Sequence, residues 1–314
     1  MRWREGRRSD NIEDRRGMGS GSGGGFGGGF PGGGFPTGGG GGFRKAGLGG
    51  FGLIVVVVLA LLFGVDPSQL LQQALGPMDS GNVDSSSYSP SSSSSSSTAD
   101  DAELRDFVSV VLADTEDTWT EQFRQMNRTY EDPKLVLFSG GVQSACGFAE
   151  TATGPFYCPG DHKVYLDLDF FRELSQRFQA PGDFAEAYVI AHEVGHHVQT
   201  LLGIMDKVDS LRSRLSEADA NHLSVMVELQ ADCFAGVWAY HADKERQILE
   251  TGDVDEGLAA AAAVGDDRLQ RQAQGYVVPE SFTHGTSAQR TRWFKQGLQS
   301  GRISDCDTFN AQQL

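Results

Sequence analysis

Apolar positions between 101 and 128 recur at helical spacing. Leu104, Phe107, Val108, Val111, Leu112, Trp119, Phe123 and Met126 form one stripe and predict an amphipathic helix. Pro133 closes that pattern, and residues 134–138 read as a short strand stopped by Gly140 and Gly141. Pro159, Gly160 and Asp161 mark a turn. After it Val164, Leu166 and Leu168 alternate with Tyr165 and Asp167, the pattern of a half-buried strand over 163–168 that is either a plain edge or a seat for an extended peptide. Residues 169–179 look helical again. Over 183–202 a longer helix places Phe184, Ala187, Tyr188, Ala191, Val194, Val198, Leu201 and Leu202 on one face. Asp183 with Glu186 predicts a capping box at its start, and Gly203 suits its end. A polar connection at 216–221 leads to a mostly apolar helix over 225–238. No internal repeat is present. The class predicted is α+β, mainly helical, with a small sheet.

Two stretches have no such periodicity. Residues 17–52 are mostly glycine broken by Phe26, Phe30, Phe35 and Phe43, and 85–98 are nearly all serine. Neither can build a core. The foldable part of the 314-residue chain is therefore 100–314, the size of one domain. Residues 46–65 are twenty in a row without a charge. At ~1.5 Å each they reach about 30 Å, enough to cross a bilayer core. They start too far from residue 1 for a signal peptide. Arg44 and Lys45 precede the run and Asp66 follows it, so charge bias puts the N-terminus in the cytoplasm. The expected organisation is a disordered cytoplasmic Arg/Gly-rich arm at 1–45, a single transmembrane helix at 46–65, a Ser-rich tether at 66–99 and a domain at 100–314. The domain then lies in the periplasm or outside the cell.

The net charge is −16, and 42 acidic residues face 26 basic ones. Eight of the basic residues fall within 1–45, so the remainder is more acidic still. Such a surface excludes nucleic acid as a partner. All four cysteines follow the apolar run, where an oxidising compartment permits disulfides. Three pairings are open. The short turn-rich loop between Cys146 and Cys158 favours Cys146–Cys158 with Cys233–Cys306; buried free thiols are the other reading.

The chemistry sits on the helix at 183–202. His192-Glu193-Val194-Gly195-His196 puts two imidazoles on one side of a helix, where both can reach one metal ion. Glu193 lies about 100° round, placed to touch water rather than the metal. A catalytic zinc needs a third protein ligand. A third histidine further along the same helix is missing, since 199 and 202 are Gln and Leu. Glu228 on the apolar helix at 225–238 supplies one instead, and Asp232 one turn on can orient a ligand histidine. Two buried carboxylates at that spacing would repel each other without such partners. His222 is a rival third ligand.

These residues resemble the glutamate-ligand zinc peptidases, with an HExxH…ExxxD pattern. The chain is similar to the bacterial neutral zinc metallopeptidase family of YpfJ-like membrane proteins. The likeness extends to the first eight residues, to 13–17, to the Gly-rich stretch and apolar run, to Gly154-Pro-Phe-Tyr-Cys-Pro159 and to Tyr276-Val-Val-Pro279. It implies a zincin-like domain holding one zinc per chain, and an endopeptidase acting on protein or peptide substrates through zinc-activated water. Residues 282–290 also resemble the Thr-His-Pro…Arg segment of HtpX-type and prenyl-protein membrane proteases, with Gly285 in place of proline. That likeness gives His284 and Arg290 the role of facing the developing oxyanion. Two other classes stay open: a zinc-bound, catalytically silent envelope scaffold or adaptor, and a purely structural membrane anchor.

Overall fold

Short strands from distant parts of the chain meet here in one sheet. The computed structural model describes residues 1–16, 97–150 and 153–314; the Gly-rich stretch, the run at 46–65 and the tether up to 96 lie outside the described residues. Among the described residues no helix is long and apolar enough to cross a membrane.

Strands β1 (Ile12–Asp14), β2 (Lys134–Phe138), β5 (Phe156–Cys158) and β6 (Lys163–Asp167) form one sheet in the order β1-β2-β6-β5. β1 and β6 both run parallel to β2, and β5 is antiparallel to β6. A hairpin of β3 (Gly141–Ser144) and β4 (Gly147–Glu150) lies over one face. Alternation along β2 and β6 sends Leu135, Leu137, Val164 and Leu166 toward the helices, while Val136, Phe138 and Tyr165 pack with Val142 and Ala149 of the hairpin. β6 is consequently buried on both faces, not half-buried as its alternation suggests. It also has partners on both edges, so it cannot take a peptide by strand addition. Among the described residues the open edges belong to β1 and β5.

The helices are α1 (Ser97–Gln125), α2 (Asp169–Gln176), α3 (Asp183–Leu201), α4 (Ile204–Arg212), α5 (Glu217–Arg246), α6 (Asp253–Ala263), α7 (Asp266–Gln274) and α8 (Ser287–Ser300). α3 and α5 form the centre, and each is apolar nearly all round in its middle turns because helices or the sheet cover every side. Close approach is made possible by glycine. A Cβ on Gly195 would sit 3.0 Å from the Ala231 carbonyl oxygen, and one on Gly297 of α8 would collide with the Cys233 carbonyl. α5 begins at Glu217, so most of the stretch read as a polar connection is its first turn, capped by the Ser216 hydroxyl. At α3 the expected capping box is absent. Gly182 is the N-cap, and the Asp183 carboxylate instead accepts from the Met1 ammonium at 2.8 Å. Gly203 ends the helix in the left-handed region, as its position suggests.

The first sixteen residues are part of the folded body. This corrects the reading of a disordered arm beginning at residue 1, which rested on glycine content that starts only at residue 17. Disulfides join Cys146 to Cys158 and Cys233 to Cys306. The second ties α5, one residue past Asp232, to the C-terminal turn Ile303–Cys306.

Candidate metal centre

α3 and α5 cross where Gly195 and Ala231 touch, and that contact brings the two motifs together. His192 Nε2 lies 3.2 Å from one Glu228 oxygen, and His196 Nε2 lies 3.5 Å from the other. His192, His196 and Glu228 thus offer ligand atoms within 4.8 Å of one another. His222, the rival ligand, is exposed at the start of α5 and outside this group.

Each imidazole is held from behind by its other nitrogen. His192 Nδ1 is 2.9 Å from Asp232 Oδ1, and His196 Nδ1 is 2.9 Å from Gln199 Oε1. Gln199 in turn donates to the Val227 carbonyl at 2.8 Å and to Gln230 at 3.1 Å, and Gln230 donates to the Cys306 carbonyl at 2.9 Å. Both rings are therefore turned with Nε2 toward Glu228. Such outer partners fix ring orientation and raise ligand basicity.

Asp232 is fully buried. It accepts from the Tyr188 hydroxyl and from Arg290, at 2.8 Å to Nε and 2.9 Å to one terminal nitrogen. Burial pushes its carboxyl up, but Arg290 and His192 outweigh this and hold it below the ordinary range. Arg290 is thereby accounted for differently from the resemblance. Its guanidinium stands on the Nδ1 side of His192, behind the ligands, because Asp232 there is the buried charge that needs neutralising. It is not placed to face an oxyanion.

His284 lies on the loop before α8. Asp266, at the start of α7, accepts backbone N–H bonds from Thr283, His284 and Gly285 at 2.8, 2.7 and 3.0 Å, and its second oxygen is 3.2 Å from His284 Nδ1. Burial lowers the imidazole's pKa, while Asp266 and the nearby Glu228 charge raise it further than burial lowers it. Among the described residues His284 Nε2 has no partner. Gly285 has φ +89°, which the ring of proline cannot adopt, so this loop follows a different backbone path from a Thr-His-Pro segment. Glu193 is 8% exposed, and none of the described residues donates to its carboxylate.

Sequence reasoning missed Tyr188, Gln199 and Asp266. The first two were within reach, at four residues before His192 and three after His196 on the same helix. Asp266 acts across a turn between two helices, and no spacing rule finds it.

Two helices thus present a histidine pair and a glutamate to one point, which defines the chain as a candidate metalloprotein whose centre lies between packed helices. Over residues 1–309 it matches the family described as "Putative neutral zinc metallopeptidase", and it belongs to that family. It is 48% identical over 310 residues to "Uncharacterized protein YpfJ" of Escherichia coli (strain K12), covering 98% of this chain and 99% of that one. It is 42% identical over 265 residues to "Uncharacterized protein Mb2605" of Mycobacterium bovis, covering 81% and 86%. No solved structure matches the chain.

Proposed function

We propose that the protein is a zinc-dependent endopeptidase acting on protein or peptide substrates, held at the cell membrane through residues 46–65 with its folded domain on the outer face. The observation that carries this reading is the convergence of His192, His196 and Glu228 beside a buried Glu193 to which none of the described residues donates. The donor set fits zinc: two imidazoles oriented from behind and one carboxylate. No free cysteine is present among the described residues to favour a thiolate site. The two disulfides support the outer face.

Zinc held by His192, His196 and Glu228 would supply Lewis acidity to the attacking water and the scissile carbonyl. Glu193 takes a proton from that water as its oxygen bonds to the carbonyl carbon. It passes the proton to the amine nitrogen as the C–N bond breaks. His284, held by Asp266 at Nδ1, directs Nε2–H at the oxygen on which negative charge grows. Asp232, Tyr188 and Gln199 keep the two imidazoles from rotating. β5 packs on α3, where the Tyr157 hydroxyl lies 3.1 Å from His197 Nδ1, so its open edge can hold an extended peptide near the centre.

The test compares wild type with Glu193→Gln on one peptide pool, using the full chain and measuring zinc by elemental analysis. About one zinc per chain in both proteins is expected, with cleavage lower by roughly 10²–10⁴ in the variant. Absence of zinc defeats the centre. Zinc without cleavage in either protein turns the reading to a silent scaffold.

A further inference from the structure

The apolar run at 46–65 separates two parts of the chain that are folded together. β1 pairs with β2 so that Ile12 faces Leu135, Glu13 faces Val136 and Asp14 faces Leu137. The Leu135 N–H donates to the Asn11 carbonyl at 2.9 Å, and the Arg15 N–H to the Leu137 carbonyl at 2.8 Å. Trp3 is 7% exposed and meets the Phe107 ring edge-on at 5.4 Å. Arg7 donates to Glu116 and Asp117 at 2.8 Å, Arg8 clasps Asp106 at 2.9 and 2.6 Å, and Lys163 donates to Glu13 at 2.8 Å. Ser9 and Asn11 both donate to Glu116, a carboxylate 4% exposed.

None of these contacts can form across ~30 Å of hydrocarbon. We infer that residues 1–16 and 97–314 lie on the same side of the membrane, so that the run at 46–65 meets the bilayer from one face and does not carry the chain across once. This replaces the single-pass orientation with a cytoplasmic N-terminus. It rests on the proposed membrane attachment but leaves the metal centre as it stands.

Charge and length both allow it. The six arginines at 2, 4, 7, 8, 15 and 16 each lie within ion-pair distance of a carboxylate, four of them in α1 or next to α6. They serve the fold, and they lie farther from the run than the 15–20 residues over which basic charges set orientation. Only Arg44 and Lys45 remain to bias it. Twenty residues make one crossing at ~1.5 Å per residue but not two.

The experiment places one short epitope near residue 30 and, separately, one near residue 90 of the full chain, and probes both with antibody in spheroplasts before and after permeabilisation. Both should be reached without permeabilisation. Both reached only afterwards would keep the shared side and overturn the outer-face placement proposed above. One reached before and the other only afterwards overturns the inference. A second measurement pairs Ile12→Cys with Leu135→Cys, which should cross-link in cells without added oxidant; failure of the pair to cross-link in a protein that retains zinc counts against it.

Discussion

Asp232 serves three residues at once, His192 in front and Tyr188 and Arg290 behind. Replacing its charge therefore acts on the metal ligand through its partner. Asp232→Asn keeps an acceptor oxygen for the imidazole but weakens its hold, and zinc affinity should fall roughly 10- to 100-fold in a chelator competition on folded protein. Unchanged affinity would mean that Asp232 serves Tyr188 and Arg290 and not the metal ligand. Glu186, two turns before His192, offers a cleaner electrostatic test away from the ligands. Burial first, then Asp183 and Glu256, push its carboxyl up to about 7. A carboxyl raised in the fold contributes stability below its ordinary pKa of 4.5, and that contribution is lost as pH rises through about 7. Thermal melts of wild type should decline relative to Glu186→Gln between those limits, by about 1–3 kcal/mol in all, and run parallel above them. Parallel melts throughout would show the site to be wetter than its burial suggests. The ligand pair itself was legible because i and i+4 is a property of one helix. Gln199 and Tyr188 were legible in the same way and were overlooked, whereas Asp266 depends on a tertiary contact.

At the scale of elements, α3 and α5 matter less for their length than for the depth to which they interlock. Gly195 stands between the two ligand histidines, and Ala231 stands beside Asp232. A methyl group at 195 would press on the Ala231 backbone, at 3.0 Å from its oxygen and 3.2 Å from its Cα. Helix propensity alone would favour Gly195→Ala by about 1 kcal/mol. Overpacking typically costs 1–3 kcal/mol. The variant should therefore lose both thermal stability and zinc affinity, and a rise in both would show that the helices can part without harm. α1, α3 and the middle of α5 were readable because an apolar stripe needs no partner to be seen, whereas α4, α6, α7 and α8 were not read. The β3–β4 hairpin was not read, since its Gly-Val-Gln-Ser and Gly-Phe-Ala-Glu strands carry little apolar alternation. With the hairpin missed, Tyr165 looked solvent-facing, though it lies stacked on Phe156 beneath that hairpin. β1 is three residues long and acidic at two of them, so only its pairing identifies it as a strand.

For the whole molecule, the parallel pairing of β1 with β2 has a consequence in time. Glu13 and Lys163, which β1 and β6 bring together, are 150 positions apart in the chain. This early segment is thus among the last to find its place, since α1 and most of the sheet must exist before it has anything to bind. Contacts of such separation slow folding, because a long loop must close before any contact rewards it. Until then the edge of β2 that β1 will occupy is a bare row of backbone donors and acceptors, open to any extended chain nearby. A nascent chain halted before residue 134 would hold β1 with no partner strand at all. Biogenesis of this protein accordingly includes an interval in which β1 must be kept available, on the proper side, for a strand not yet delivered.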